Sequence, residues 1–297
     1  MVDRRTFLAV TPLLTGSCAL APRAEPLDAS LREEFTRLPV AGSDGSIVVT
    51  RYRPPGPGPF PWIVLSHGTA PDAAANREIG RWRNLHLVRQ WVGRGYAVVV
   101  PVRRGYGASG GTRLGDGYGS CARPDFDAAG RAAAADLDTA RAWALSHADM
   151  DPGRWMLVGQ SAGGFASIAA AAAQPPGLRA VLAFSPGRGG DPVARPGQPC
   201  ASAQLGELFA RLAPRVRVPV LWFYAQNDAY IGPDTQRLWF GRFRDAGGRG
   251  ELVVVPPFPH RLGHGVFTSP EGTPLWTAAV ARFLSSQAIA LSFPNPT

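Results

Sequence analysis

Ser161 stands between two glycines in the segment VGQSAGG, which covers residues 158–164. An apolar run precedes this segment and an alanine-rich run follows it. The pattern Gly-x-Ser-x-Gly between a strand and a helix is typical of a nucleophile elbow, a sharp turn that presents the serine hydroxyl above the sheet. An ordinary strand-to-helix turn rich in small residues is the alternative interpretation. We predict that Ser161 is a catalytic nucleophile.

A serine hydroxyl is a weak nucleophile and needs a base together with an acid that orients the base. In hydrolases built on a nucleophile elbow, the chain order is serine, then aspartate or glutamate, then histidine. Asp228 follows the apolar run at 218–225, so its carboxylate could reach back over the end of that strand. Asp234 lies farther on, in the first turn of a predicted helix. The spacing favours Asp228, although an aspartate here could also form an Asx turn.

Two histidines follow the next apolar run, His260 and His264. His264 lies between two glycines, whereas His260 is closer to the end of the strand. His86 and His147 are poor candidates for the base, because they fall in predicted helices that precede the serine or face solvent. We favour His264 as the general base and keep His260 as the alternative.

The oxyanion of an acyl-transfer intermediate needs two backbone N–H donors. Ala162, the residue after the nucleophile, is the first candidate. Thr69 is the second, because it follows a buried strand and Gly68 permits a tight turn there. We interpret His67 as a residue that organises this loop. The glycine-rich segment 103–111 lacks a Gly-Lys-Ser/Thr ending, so we predict a loop beside the site and no phosphate site.

The elements that must position these residues alternate along the chain between apolar runs and helical segments. Continuous apolar runs suit strands covered on both faces, and the strand-helix order predicts an α/β fold with a mostly parallel sheet and helices on both faces. The long loop at 187–199 follows a strand, so we expect it to border the ligand site. The predicted strands cover residues 46–52 (an edge strand), 62–68, 96–101, 155–159, 178–185, 218–225 and 251–256. Predicted helices cover residues 27–38, 76–94, 125–147, 203–212 and 274–287, and two more are expected after Ser161 and from about Asp234.

Residues 1–24 have the pattern of an export signal, with Arg4-Arg5 before a short apolar stretch and then small residues. The arginine pair is similar to a twin-arginine signal. The segment ahead of Cys18 is similar to a lipoprotein acylation site, the one feature that predicts a membrane attachment. We therefore expect a periplasmic or secreted protein with a single domain over residues 25–297. A disordered tail on a cytoplasmic protein is the alternative.

The net charge is +9, and every basic residue apart from histidine is an arginine. These arginines are dispersed singly or in pairs, so the composition does not predict a nucleic-acid partner. No Cys/His spacing predicts zinc, and we expect neither a metal nor an organic cofactor. Two cysteines, Cys121 and Cys200, follow the predicted signal. An exported protein could join them in a disulfide, and two free thiols are the alternative.

The segments SHGT, RRGYGASGG, GQSAGG, YAQNDAYIGP and GHGVF together resemble the α/β-hydrolase superfamily, on its dienelactone-hydrolase-like branch. The resemblance covers about residues 46–285. It implies Ser161 as nucleophile, His264 as base and Asp228 as orienting acid. Dienelactone hydrolases proper use cysteine where this chain has serine, so their substrate is not carried over. Many members of the branch have Asp-Gly-His at the last catalytic loop, where this chain has Leu262 at the aspartate position.

The sequence thus predicts a serine hydrolase, a carboxylesterase that forms an acyl-enzyme with small-molecule esters. Between the predicted strand at 178–185 and Asp228 the chain has space for at most one helix, at about residues 203–212, which argues against a large lid and favours small or extended substrates. Phe126, Tyr230 and Phe258 are candidate pocket walls. A serine peptidase of the prolyl-oligopeptidase type is the first alternative, and a catalytically silent binding protein with the same fold is the second.

Overall fold

A central eight-stranded sheet organises the chain in the computed structural model, which describes residues 26–70, 72–111, 114–289, 291, 293 and 294. The spatial order of its strands is β1-β2-β4-β3-β7-β8-β9-β10, and a separate two-stranded hairpin is formed by β5 and β6. The strands are β1 (Glu34–Pro39), β2 (Ser46–Tyr52), β3 (Phe60–Ser66), β4 (Ala97–Val102), β5 (Gly119–Ser120), β6 (Arg123–Pro124), β7 (Met150–Gln160), β8 (Leu178–Phe184), β9 (Val220–Ala225) and β10 (Gly250–Val255).

The sheet is mostly parallel, as predicted. Strands β1, β2 and β4 pair antiparallel at one side. From β4 through β3, β7, β8 and β9 to β10, every neighbouring pair is parallel. The carboxyl ends of these six strands therefore meet at one edge of the sheet, where α/β proteins bind their ligands.

Helices pack on both faces of the sheet, which confirms the predicted α/β layering. On one face, aromatic and alanine side chains of α3 to α6 share a core with β3, β7 and β9. On the other face, α2 and α7 share a second core with β4, β8 and β9. The α-helices are α1 (Ala73–Glu78), α2 (Leu85–Val92), α3 (Phe126–Leu145), α4 (Ala162–Ala171), α5 (Ser202–Leu212), α6 (Pro233–Asp245) and α7 (Thr273–Ser286).

The predicted helix at residues 27–38 is wrong. The chain makes a short 3-10 turn at Ala29–Leu31 and then forms β1, which pairs antiparallel with β2. Half-buried and exposed residues alternate along β1, the two-residue period of a strand at a sheet edge. Because β1 covers β2, the expectation that residues 46–52 form the edge strand is also wrong.

The predicted helix at 76–94 is divided into α1 and α2. Gly80 and Trp82 have positive φ angles of 56° and 48°, which no α-helix accommodates. Asn84 then caps α2, accepting a hydrogen bond from the amide of Leu87 at 3.1 Å. The break brings the α1 region beside the loop after β4, where the amide of Ala108 donates to the carbonyl of Gly80.

Cys121 and Cys200 form a disulfide across a sequence separation of 79 residues. The bond joins the β5–β6 hairpin to the segment that leads into α5. The predicted export signal at residues 1–24, including Cys18, lies outside the described residues. None of the helices in the described part of the chain combines the length and the apolar character of a membrane span.

Candidate active site

Ser161 occupies the turn between β7 and α4 with φ 57° and ψ −121°, a region that L-residues rarely adopt. Three hydrogen bonds hold this backbone. The amide of Ser161 donates to the carbonyl of Phe184 at 2.8 Å, and the carbonyl of Ser161 accepts from the amides of Phe165 and Gly187 at 3.0 and 3.2 Å. The surrounding structure therefore fixes the geometry that a nucleophile elbow requires.

The glycines of the segment allow the helix to approach the sheet. A Cβ on Gly159 would overlap the carbonyl oxygen of Gly163. A Cβ on Gly163 would overlap the carbonyl oxygen of Ser66 at the end of β3. This close approach brings the N-terminus of α4 beside the loop that follows β3.

Asp228 and His264 are brought together beside the elbow. Nδ1 of His264 lies 3.0 and 2.9 Å from the two carboxylate oxygens of Asp228, and both residues are buried. Oδ1 of Asp228 also accepts from the amides of Tyr230 and Ile231 at 2.9 and 3.1 Å. A carboxylate oxygen accepts hydrogen bonds, so the contact with Asp228 favours the tautomer with the proton on Nδ1 of His264 and the lone pair on Nε2. This is the tautomer that a general base requires.

The alternative candidates lie elsewhere. The side chain of Asp234 is fully exposed and pairs with Arg237. The side chain of His260 is 47% exposed and lies 3.6 Å from Glu271. Neither residue lines the cavity that contains Ser161 and His264. The geometry therefore favours Asp228 over Asp234 and His264 over His260.

A tight loop positions His264. Gly263 has a φ of 83°, and a Cβ there would lie 2.7 Å from the backbone of Asn227. The carbonyl of His264 accepts from Nε2 of Gln160 at 3.1 Å, which ties the histidine loop to the end of β7. The ring of Tyr230 stacks on the imidazole with 4.4 Å between centroids. These contacts restrict the orientation of the imidazole.

Thr69 and Ala162 both line the cavity beside Ser161. The loop after β3 passes close to the elbow, because a Cβ on Gly68 would lie 2.6 Å from Oε1 of Gln160 and 3.4 Å from the Cβ of Ser161. Ala162 is the first residue of α4, and the first amides of a helix have no intrahelical acceptor. Both residues thus lie beside Ser161, and their role as oxyanion donors stays a prediction.

His67 is completely buried behind this loop. Its Nε2 lies 3.1 Å from the amide of Arg103, which can only donate, so Nε2 accepts. Nδ1 then carries the proton and donates to the carbonyl of Gly68 at 2.7 Å. Burial and the nearby charge of Arg103 lower the pKa of His67 well below its ordinary value. The neutral ring fixes the chain immediately before Thr69, as the sequence interpretation expected.

A buried polar network under the same loop was missed by the sequence analysis. The carboxylate of Asp116 accepts from Nε of Arg103 at 3.0 Å, from Nη2 of Arg188 and from the hydroxyl of Tyr106 at 3.0 Å. The Tyr106 hydroxyl is also 2.9 Å from Oγ1 of Thr69. Burial alone would raise the pKa of Asp116, but the charges of Arg188 and Arg103 outweigh it and lower the pKa to about 2.

The signals for this network were weak in the sequence. Arg103 was part of a glycine-rich segment interpreted only as a loop, and Asp116 lies in a second such segment. Arg188 lies in the loop at 187–199 that was expected to border the site. The available signal was that Arg103 and Arg188 stand close to glycines shortly after strands.

The cavity at this edge of the sheet has a volume of about 210 Å³. Of the three aromatic candidates for its walls, Tyr230 lines it, whereas Phe126 and Phe258 are buried outside it. No aspartate or glutamate is among the described residues that line it. The lining residues are Thr69, Ala70, Tyr118, Gln160, Ser161, Ala162, Gly187, Arg188, Gly189, Gly190, Tyr230, Ile231, Arg261 and His264.

The described part of the chain contains no group of three or more histidine, cysteine, aspartate or glutamate side chains that could hold a metal ion. The residues around Ser161 bring a hydroxyl and an imidazole to one cavity, with a carboxylate bonded to the imidazole, an arrangement that suits acyl transfer.

The parallel sheet and the serine at its strand-to-helix turn define a member of the α/β-hydrolase superfamily, as the resemblance implied. The chain belongs to the family described as X-Pro dipeptidyl-peptidase (S15 family), whose model matches residues 44–206. No curated protein matches the sequence.

Many solved structures have the same fold. A Klebsiella pneumoniae protein assigned as a dienelactone hydrolase is 18% identical with a TM-score of 0.58, covering 85% of this chain and 98% of its own. A cold-adapted esterase from an Arctic intertidal metagenomic library is 19% identical with a TM-score of 0.58, covering 90% and 98%. The acylaminoacyl peptidase of Pyrococcus horikoshii is 15% identical with a TM-score of 0.57, covering 88% of this chain and 42% of its own. At these identities the likenesses show the fold alone.

Proposed function

We propose that this protein is a serine carboxylesterase that cleaves small esters through an acyl-enzyme. One observation carries the proposal. Ser161, held in the strained elbow conformation, shares a cavity with His264, whose Nδ1 hydrogen-bonds both carboxylate oxygens of Asp228.

In the proposed reaction, Oγ of Ser161 attacks the ester carbonyl while Nε2 of His264 accepts the hydroxyl proton. The electron pair of the carbonyl moves onto its oxygen, which becomes the oxyanion. When the tetrahedral intermediate collapses, the bond to the alkoxy oxygen breaks and His264 protonates the leaving alcohol. Water then attacks the acyl-serine with the same assistance and releases the acid. Asp228 keeps the imidazole in the required tautomer and stabilises its charged form.

We assign the oxyanion hole to the backbone amides of Ala162 and Thr69. The N-terminal end of α4 adds the favourable potential of its aligned peptide dipoles at the same point. Losing one donor of an oxyanion hole costs roughly 10²–10³ in rate. The bonds that fix His67 and Tyr106 beside Thr69 keep its amide in place before substrate arrives.

The size of the cavity supports a small substrate. Pockets that enclose drug-sized ligands usually measure roughly 300–1,000 Å³, and this one measures about 210 Å³. A short acyl chain with a small alcohol suits such a volume.

A peptidase is the second candidate, because the matching family model is that of X-Pro dipeptidyl-peptidases. The same groups would cleave an amide if His264 protonated a leaving amine. To decide between the two activities, we would compare kcat/KM for short peptide anilides with kcat/KM for short-chain nitrophenyl esters. The anilides include some with proline before the scissile bond. Peptidase activity is the main activity if kcat/KM for any anilide exceeds that for the esters.

The decisive test is labelling of the purified protein with a fluorophosphonate probe, which reacts only with an activated serine. We expect labelling of wild type and of His260→Ala, and none of Ser161→Ala or His264→Ala. Turnover of a nitrophenyl ester should follow the same pattern. Circular dichroism and thermal unfolding establish that each variant is folded. A folded wild type without labelling would refute the hydrolase and favour the silent binding protein.

We also propose that the protein is exported. Residues 1–24 support this, and a disulfide is stable in an oxidising compartment. The export proposal is tested by cell fractionation, which compares the full chain with a variant in which Arg4 and Arg5 are changed to Lys. The full chain should reach the periplasm or medium and the variant should not; equal distribution would contradict the proposal.

A further inference from the structure

Arg188 follows β8 and is buried in the wall of the candidate active-site cavity, with 6% of its surface exposed. Its Nη2 is occupied, since it donates to the backbone carbonyl of Asp116 at 2.9 Å and to the carboxylate of the same residue. Its Nε is buried without a hydrogen-bond partner, and Nη1 makes no hydrogen bond to the described residues. A buried guanidinium normally satisfies its donors, so this side chain has unused donor capacity beside the cavity.

The charges around Arg188 do not balance. Asp116 is shared by two buried guanidiniums, those of Arg103 and Arg188, so one positive charge is left over. Arg261 adds a second cationic side chain to the lining, and no carboxylate among the described lining residues opposes it. The carboxylate of Asp228 is paired with His264 and does not line the cavity. The cavity is therefore electropositive, which favours an anion.

Arg188 is also held rigidly. A Cβ on Gly187 would overlap the ring of Trp239, so the chain before Arg188 is packed directly on α6. On the other side, the carbonyl of Gly189 accepts from the amide of Cys200 at 2.9 Å, and Cys200 is bonded to Cys121. Both neighbours of Arg188 are thus fixed, and a fixed donor binds an anion with little loss of conformational entropy.

We propose that Arg188 binds a carboxylate on the same substrate molecule whose ester bond Ser161 attacks. This inference rests on the proposed esterase function and names its substrate class: esters that carry a free carboxylate on the acyl part or on the alcohol. Nη1 of Arg188 donates to the carboxylate, and the uncompensated charge of the Arg103–Asp116–Arg188 cluster stabilises it.

Two matched sets of substrates test the inference. The first set has three nitrophenyl esters that differ at the end of the acyl chain farthest from the ester bond. Nitrophenyl hexanoate is neutral there, the mononitrophenyl ester of adipic acid carries a carboxylate, and the nitrophenyl ester of 6-aminohexanoic acid carries an ammonium group. The second compares phenyl acetate with 4-acetoxybenzoate, which places the carboxylate on the leaving group. The rate measured with Ser161→Ala, which reports spontaneous hydrolysis of the ester, is subtracted from each measured rate. In wild type we expect kcat/KM for the anionic member of at least one set to exceed that of its neutral partner tenfold or more, and the cationic ester to be the poorest.

The variant Arg188→Met keeps the length of the side chain and removes its charge, and Arg103 remains to pair with Asp116. We expect the preference for the anionic ester to fall at least tenfold in Arg188→Met and to be partly kept in Arg188→Lys. Arg195→Gln is the matched control, since Arg195 lies in the same loop, does not line the cavity, and its removal changes the net charge equally. Because the readout is a ratio within one variant, a general loss of activity does not affect it.

Fluorophosphonate labelling separates the two proposals. Wild type without labelling refutes the hydrolase, whatever Arg188 does. Labelled protein that prefers no anionic ester overturns the anion site and leaves the esterase standing. A preference that survives in Arg188→Met, or that is lost instead in Arg261→Gln, also overturns the assignment. As a measurement without turnover, adipate should slow labelling of wild type and of Arg195→Gln, and should not slow labelling of Arg188→Met.

Discussion

His67 should make the stability of this protein depend on pH in a way that a single substitution removes. The imidazole is completely buried, with Nε2 accepting from the amide of Arg103 and Nδ1 donating to the carbonyl of Gly68. Protonation of the ring would put a second N–H group at Nε2, facing the N–H of Arg103, so that the hydrogen bond between them would be lost. Burial and the charge of Arg103 lower the pKa of His67, and the charge of Arg188 lowers it further, whereas the hydrogen bond to Gly68 and the charge of Asp116 oppose the shift. The folded protein therefore keeps this ring neutral at pH values where a free histidine is charged.

The magnitude follows from proton linkage. In the unfolded chain His67 binds a proton with a pKa near 6.5, whereas the folded chain does not bind it in the same range. The contribution of the neutral His67 ring to the free energy of unfolding is thus complete above pH 6.5. It is lost as the pH falls towards the lowered pKa of the folded protein. For one such group, the free energy of unfolding decreases by about 1.4 kcal/mol between pH 7.5 and pH 5.5.

The assay is urea unfolding at these two pH values for wild type and His67→Gln, at one salt concentration and with the disulfide intact. Glutamine does not titrate, so the pH-dependent loss should be about 1.4 kcal/mol smaller in the variant. The other histidines are common to both proteins and cancel in the difference. Equal pH dependence in wild type and variant would show that His67 is not held neutral and would refute the reasoning.

Three further predictions concern the site and its support. Asp228→Asn should slow fluorophosphonate labelling by roughly 10⁴ by favouring the wrong imidazole tautomer, while Asp234→Asn leaves the rate unchanged; equal rates would contradict the assignment. Gly163→Ala should lower the free energy of unfolding by about 1–3 kcal/mol through overpacking against β3, whereas Gly241→Ala, in an open helical position, should raise it by about 0.5–1 kcal/mol, both read from urea midpoints. Replacing both cysteines of the disulfide by serine should cost about 2–4 kcal/mol in the same assay, since the bond closes a loop of 79 residues; an unchanged midpoint would contradict this.

The parts of the fold and site that local patterns encode were predictable. The elbow at Ser161 depends on small residues at fixed offsets, and the buried parallel strands are continuous apolar runs, so both are visible within one window of sequence. The choice of Asp228 and His264 depended on their position just after strands, which chain order supplies.

The parts that depend on pairing between distant segments were not predictable. Residues 27–38 have no strong strand pattern, and β1 forms because β2 offers an open edge for pairing. The shared carboxylate of Asp116 lies 13 residues from Arg103 and 72 residues from Arg188. Their proximity follows from the order of strands in the sheet, which no local pattern encodes.

The sheet order also explains why the proposed anion site would lie between the candidate catalytic groups. Adjacent parallel strands β3, β7, β8, β9 and β10 lead in this spatial order to Thr69, Ser161, Arg188, Asp228 and His264. The strand that leads to Arg188 is therefore the immediate neighbour of the strand that leads to Ser161. A charge fixed there lies within the reach of a substrate whose carbonyl is bound at the elbow, because neighbouring strands are only about 5 Å apart. The guanidinium of Arg188 bonds to Asp116, which it shares with Arg103, whereas the carboxylate of Asp228 bonds to His264. The same edge of the sheet can thus hold a cation for the substrate and a carboxylate for the imidazole without the two neutralising each other.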